Sequence, residues 1–308
     1  MAKLKAWWMG HKPSQRRLVQ LYAAVLYNAH IKGFIKGEIY TGSTKALCVP
    51  GLNCYSCPGA VGACPLGALQ NALASAGHRA PWYVLGILLV YGITLGRTVC
   101  GWLCPVGWIQ ELLHRLPTPK LAKSDVTRVL SRIKYAVLAL FVIIMPLQYA
   151  AKDVPLPAFC KYICPAGTLE GAAGLLAHPA NADQFSMLGI LFTRKWVILI
   201  LFLLAAVFIY RAFCRFLCPL GAIYGLFNRI SLLGVRVEAP SCTDCGRCVS
   251  RCKMDVRRVG DAECIHCGEC IDECPEKAIQ FKAGKWVLKG AGIKPGESAS
   301  NPQTDVQT

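Results

Sequence analysis

The sequence predicts an α-helical integral membrane protein of about four transmembrane helices, with short re-entrant or interfacial helices, followed by a small α+β domain. Three observations predict it. Long apolar stretches run through the first two thirds of a 308-residue chain that is 54% hydrophobic. A short phrase, Cys-Pro-x-Gly, recurs between them at Cys64, Cys104, Cys164 and Cys218. Near Arg236 the composition turns polar and charged, and eight cysteines follow in two evenly spaced runs.

A span needs about 20 predominantly apolar residues. Pro81–Val99, Ile133–Ala151 and Trp196–Phe213 meet that test. Arg17–Ile35 is the fourth expected span, although Asn28, His30 and Lys32 interrupt it. Basic residues crowd the start (Lys3, Lys5, Lys12, Arg16, Arg17) and the connection between the second and third spans (Arg115, Lys120, Lys123, Arg128, Arg132, Lys134). The other two connections carry fewer for their length: Lys36, Lys45 and Arg79, then Lys152, Lys161, Arg194 and Lys195. The positive-inside rule then puts both termini in the cytoplasm of a multi-pass protein of a prokaryotic inner membrane. No cleavable signal peptide is evident, because no short apolar core with a small-residue cleavage site follows the basic start. The formal charge of +17 comes without an aromatic–basic reader motif. It therefore argues against nucleic-acid binding and for membrane topology and an acidic redox partner.

Eighteen cysteines in close pairs beside apolar stretches point to metal rather than to a secreted disulfide scaffold. Proline suits the first turn of a helix, so each Cys-Pro phrase sets thiols at a helix start, where free N–H groups favour thiolate. Three copies are Cys-x3-Cys pairs: Cys100/Cys104, Cys160/Cys164 and Cys214/Cys218. In the first copy Cys57 lies farther upstream of Cys64. The second and fourth copies align without gaps, sharing Leu103/Leu217, Ile109/Ile223, Leu112/Leu226 and Arg115/Arg229. The first and third share Leu69/Leu169 and Ala72/Ala172. Topology puts the second and fourth copies inside and the other two outside, matching these subtypes. Four thiolates make the ligand set of one [4Fe–4S] cluster. The expectation is an inner cluster on Cys100, Cys104, Cys214 and Cys218 and an outer one on Cys57, Cys64, Cys160 and Cys164. Structural zinc is the alternative for four thiolates. Cys48 and Cys54 remain, as a disulfide, as participants in the outer cluster, or with Cys57 and Cys64 as a self-contained site. Clusters at opposite faces of a hydrocarbon core about 30 Å thick would couple poorly. Either the apolar half-helices after the repeats bring them inward, or a partner cofactor or quinone bridges them.

In the C-terminal domain Cys242-x2-Cys245-x2-Cys248-x3-Cys252 is followed by Cys264-x2-Cys267-x2-Cys270-x3-Cys274-Pro275. This is the spacing of bacterial two-cluster ferredoxins, in which the fourth cysteine of each run binds the other cluster. One cluster then takes Cys242, Cys245, Cys248 and Cys274, and the second takes Cys264, Cys267, Cys270 and Cys252. Cys252 precedes Lys253 where the second run has Pro275, so its local turn is expected to differ. The domain boundaries expected are 1–235 for the membrane domain, 236–289 for the ferredoxin domain and 290–308 for a disordered tail.

Through Cys100-Gly-Trp-Leu-Cys104-Pro, Cys214-Arg-Phe-Leu-Cys218-Pro and the eight ferredoxin cysteines, the chain resembles the NapH/NosR-type membrane ferredoxins over roughly residues 15–285. The resemblance implies four spans, a cytoplasmic two-cluster ferredoxin, and electron passage between the quinone pool, cytoplasmic clusters and extracytoplasmic reductases. It implies as partners the other subunits of a membrane redox complex: an extracytoplasmic flavin or Fe–S protein and a cytoplasmic electron donor or acceptor. No Ser-Gly-Ala-Thr flavinylation site occurs, so any flavin sits on a partner subunit. The stretch Cys48–Cys64 and the pair Cys160/Cys164 depart from the usual two-pair pattern and fit a wire reaching the outer face.

The reading that follows is a transmembrane electron conduit with four [4Fe–4S] clusters, a redox subunit rather than an enzyme by itself. A quinol dehydrogenase is the second reading. It needs a proton-handling group at membrane depth, for which His30, Glu111, His114 and Glu170 qualify. An assembly factor for a metallo-oxidoreductase is the third. Arg97 and Arg211 each stand three residues before an inner pair. They either snorkel at the bilayer edge or place a cation beside the inner cluster.

Overall fold

The computed structural model describes residues 15–74, 81–176, 178–179, 181, 183, 189–284 and 286–290. Of the expected tail, Gly290 ends a strand and residues 291–308 lie outside the described residues. Among those described, two helices are long and apolar enough to cross a membrane: Asp125–Ala150 and Ile190–Phe208. Ser124 opens the first with a reciprocal capping box to Thr127, and its middle turn, Leu138–Ile144, is π-wound. Leu140, Ile143, Ile200, Leu201 and Leu204 face outward from these helices, as lipid contact requires.

The other two expected spans are broken. Arg17–Ile35 is two helices, Gln15–Tyr27 and Ile31–Lys36, parted at Asn28–His30. The polar residues there are the cause. Asn28 donates to the Ala24 carbonyl and to Asn53 Oδ1, and the His30 amide donates to the Gly59 carbonyl. The stretch from Pro81 is helical only over Trp82–Thr94, about 20 Å of rise. It then turns at Gly96, whose φ is +51°, into the short helix Thr98–Trp102.

The repeats are one structural unit. A short helix carries the first cysteine (Thr98–Trp102, Ala158–Tyr162, Ala212–Phe216), and the second cysteine stands just before the next helix. Cys64, Cys104 and Cys218 are extended N-caps of Pro65–Leu73, Pro105–Leu113 and Pro219–Phe227, each with proline in the first turn. After Cys164 the half-helix is π-wound over Gly167–Ala172. In the first copy the leading helix is replaced by the loop 47–64, tied at its ends by a parallel bridge between Cys48 and Ala63.

The C-terminal domain is a three-stranded antiparallel sheet, β1 (Leu233–Val237), β2 (Ile279–Ala283) and β3 (Trp286–Gly290), in that order. Val235 faces Phe281 in register, and both pack with Ile271 and Ile279. This domain is seated on the inner repeats. Ile265, Met254 and Val256 join the main core with Val99, Phe213 and Tyr224. A Cβ on Gly101 would stand 2.1 Å from the Ile265 carbonyl oxygen, so only glycine allows that approach. Glu263 receives Arg97 at 2.9 Å and Lys134 at 2.5 Å, Arg215 pairs with Asp255, and Asn228 Nδ2 donates to the Cys264 carbonyl at 2.8 Å.

Candidate metal centres

Cys242, Cys245, Cys248 and Cys274 line one cavity of the C-terminal domain. Cys252, Cys264, Cys267 and Cys270 line a second, with Cys248 in the wall between. These are the two sets that the spacing predicts. Each run winds its loop the same way, with left-handed backbone at Asp244 and Gly246 in one and at His266 and Gly268 in the other. Such turns aim successive N–H groups inward, as an anionic cluster requires. Lys253 in place of proline changes little: Cys252 (φ −64°, ψ 130°) and Cys274 (φ −83°, ψ 115°) are both extended.

His266, missed by the sequence reading, fastens this domain. Its Nδ1 accepts from the Val235 amide at 2.9 Å, and its Nε2 donates to Asn228 Oδ1 at 2.9 Å. Burial, with Arg236 and Arg97 nearby, pushes its pKa down to about 3. It is therefore a neutral structural group.

In the membrane domain, Cys100, Cys104, Cys214 and Cys218 line one buried cavity, as expected for the inner set. The outer set differs in one member. The cavity there is lined by Cys54, Cys64, Cys160 and Cys164. Cys57 does not line it. A turn closed by the Cys57 amide on the Cys54 carbonyl, 3.1 Å, puts the two cysteines at opposite ends of a chain reversal. Cys54 faces the cavity, while Cys57 is buried in the loop near Lys45. Cys48 is buried and also outside the cavity; among the described cysteines none forms a disulfide.

The two cavities share a wall: Leu52 lines both. The main-chain N–H of Leu52 faces Cys104, and that of the next residue, Asn53, faces Cys64. Loop 47–64 therefore reaches from the first Cys-Pro repeat to the thiols of the second, where a Cβ on Gly51 would meet Cys104 Cα at 3.2 Å. Gly51, Leu52 and Asn53 are buried there, enclosed by protein.

One position of the repeat builds this arrangement. Six residues after each Cys-Pro cysteine stands a polar side chain: Gln70, Gln110, Glu170 and Tyr224. Gln70 and Gln110 reach the partner pair of their own cavity, at Cys160 and Cys214. Glu170 accepts from the Cys54 amide at 2.6 Å, and the Tyr224 hydroxyl donates to the Pro50 carbonyl at 2.9 Å. The last two hold loop 47–64 in place.

Arg97 and Arg211 are fully buried, which rules out snorkelling at a bilayer edge. Arg211, Arg16 and the Tyr210 hydroxyl all bind Glu111, at 2.7, 2.7 and 2.6 Å for their nearest contacts. Glu111 thus serves an ion-pair network. The His30 ring nitrogen lies 3.3 Å from the Pro58 carbonyl. Neither Glu111 nor His30 lines a cavity described above.

Four thiols without a carboxylate or imidazole in the lining form a soft donor set suited to iron–sulfur clusters. Among the described residues no three His, Cys, Asp or Glu side chains converge tightly enough to hold a single metal ion.

A 4Fe-4S binding domain family matches residues 83–124, 157–178 and 196–238, and a second 4Fe-4S binding domain matches 259–280. YccM of Escherichia coli K12 is 29% identical over 180 residues, 57% of this chain and 46% of the relative. The methylamine utilization ferredoxin-type protein MauN of Paracoccus denitrificans is 32% identical over 195 residues, 60% and 58% of the two chains. The ferredoxin-type protein NapH of Haemophilus influenzae is 25% identical over 167 residues, 54% and 50%. The chain thus spans about half the length of the curated relatives it matches. No solved structure matches it. Site and matches together define a membrane-associated iron–sulfur protein. Over the matched stretches it is similar to the ferredoxin-type proteins NapH and MauN and to NirI.

Proposed function

We propose that the chain is a wire of four [4Fe–4S] clusters carrying single electrons between a cytoplasmic carrier and an extracytoplasmic redox partner. Its stations are Cys242/Cys245/Cys248/Cys274, then Cys252/Cys264/Cys267/Cys270, then Cys100/Cys104/Cys214/Cys218, then Cys54/Cys64/Cys160/Cys164. The observation that carries this reading is continuity. Cys248 stands between the first two cavities, Ile265 of the second meets Gly101 beside Cys100, and Leu52 lines the last two. Tunnelling needs such short gaps. In this reading the shared wall of the last two cavities lets an electron pass between them without a quinone or partner cofactor.

The chain's part is to hold thiolates, exclude water and supply compensating charge. Cys245 is exposed, and in this reading its cavity is the cytoplasmic end. The cavity it lines carries Arg236, Arg247, Arg257 and Arg258 against Asp244 and Glu276. That excess of positive charge fits an acidic soluble carrier. At the other end Lys161 and Lys195 line the outer cavity. In this reading the chain is multi-pass with cytoplasmic termini, as its basic residues direct, and any flavin belongs to a partner. Quinol oxidation within the chain is less favoured, because His30 and Glu111 are engaged elsewhere.

Iron and sulfide analysis with EPR of the dithionite-reduced, reconstituted protein tests the reading. About sixteen irons per chain in four [4Fe–4S] signals are expected. About eight, with two signals, would reject it.

A further inference from the structure

The two membrane cavities carry the same side-chain device. Gln70 and Gln110 are fully buried and occupy the same place in their repeats. Gln70 Oε1 accepts from the Phe159 amide at 2.9 Å, and its Nε2 lies 3.3 Å from Cys160 Sγ and 3.2 Å from the Leu66 carbonyl. Gln110 Oε1 accepts from the Phe213 amide at 3.0 Å, and its Nε2 lies 3.1 Å from Cys214 Sγ and 3.1 Å from the Val106 carbonyl. The orientation of each side-chain amide is fixed by chemistry. A main-chain N–H only donates, so the atom facing Phe159 or Phe213 is the oxygen, and the atom facing sulfur is the NH2. One of its hydrogens is satisfied by a carbonyl four residues back; the other points at the cysteine.

We propose that Gln70 and Gln110 are paired tuning residues, each placing an amide N–H on one ligand sulfur and so raising the potentials of the outer and inner clusters together. This rests on the reading that these thiols hold clusters. A cluster that accepts one electron gains one negative charge, shared by its sulfurs. A donor to sulfur stabilises that reduced state more than the oxidised one, and cluster potential follows hydrogen bonding to the sulfurs. The cations near the two sites differ: Arg97 and Arg211 at the inner one, Lys161 and Lys195 at the outer one. Among side chains that reach a ligand sulfur, the glutamines are what the two sites have in common. They are positioning residues, since they act through the cysteines and not on a substrate.

The test is pulsed EPR on the full-length, cluster-loaded protein in detergent, with its glutamine side chains labelled with 15N. Reduced membrane clusters are expected to show 15N coupling. Gln110→Met is expected to remove it from the inner cluster and lower that cluster's midpoint potential, leaving the outer unchanged. Gln70→Met is expected to do the reverse. Should either variant fail to assemble, the coupling in the unaltered sequence decides. All four clusters present with no 15N coupling, or with midpoints unmoved by both substitutions, overturns this inference and leaves the wire intact. An iron content of about eight per chain removes both.

Discussion

Arg97 donates to the main-chain carbonyl of Cys214 at 3.3 Å, and Arg211 donates to that of Cys100 at 2.5 Å. Each arginine stands just ahead of one pair and reaches across to the other. The exchange locks the second and fourth repeats around one cavity and sets two cations beside four thiols.

Replacing Arg211 by Gln therefore should lower the potential of the inner cluster. A shift on the order of 59 mV, the one-electron equivalent of a tenfold change in equilibrium constant, is expected in an EPR-monitored redox titration. Glu111 keeps Arg16 in the variant, so the protein should still fold. An unchanged potential would dismiss the electrostatic role.

Cys54 and Cys57 separate two descriptions of the outer site. Cys54→Ala should cost one cluster, about four irons per chain. Cys57→Ala should leave the iron count unchanged. The opposite pattern in metal analysis would return Cys57 to the ligand set.

Gly101→Val should push the C-terminal domain away from the inner repeats, because its first side-chain atom meets the Ile265 backbone. Overpacking of this kind costs about 1–3 kcal/mol. Slower electron transfer from the ferredoxin clusters to the inner cluster, followed by freeze-quench EPR, is the expected readout, with cluster content preserved.

Docking should also weaken in acid. Burial alone would raise the Glu263 carboxyl, but Arg97 and Lys134 hold it below the ordinary carboxylate range. A depressed carboxylate adds stability that is fully present above the ordinary value of about 4.3 and is lost as pH falls through the lowered one. Glu263→Gln should remove this pH dependence, measured by proteolytic release of the C-terminal domain.

Reduction by an acidic ferredoxin or flavodoxin should slow as salt rises, since exposed charges are screened within a Debye length of about 10 Å at 0.1 M. Charge reversal at Arg257 and Arg258 should slow it further at low salt. A rate indifferent to salt and to both substitutions would place the acidic carrier elsewhere.

The eight ferredoxin cysteines were legible because their grouping is local: spacing along one loop nearly determines which thiols meet. The pairing of alternate repeats was legible from their subtypes. Cys54 was not, because a single turn decides whether residue 54 or 57 faces the cavity, and both are cysteines. The broken first span was half legible in Asn28 and His30, whose hydrogen bonds needed partners on loop 47–64 that no sequence pattern names. The polar residue six after each Cys-Pro cysteine was present in the sequence as Gln70, Gln110, Glu170 and Tyr224. Its four chemistries differ, so it escapes a comparison that seeks identical residues. Only the shared geometry unites them.

The adjacency of the two membrane clusters is tested most directly by their magnetic interaction in the fully reduced protein. With Leu52 in the wall of both cavities, the inner and outer EPR signals should be broadened by mutual spin coupling, and Cys104→Ala should leave a sharp outer signal. Two membrane signals already sharp and independent in the unaltered chain would contradict it.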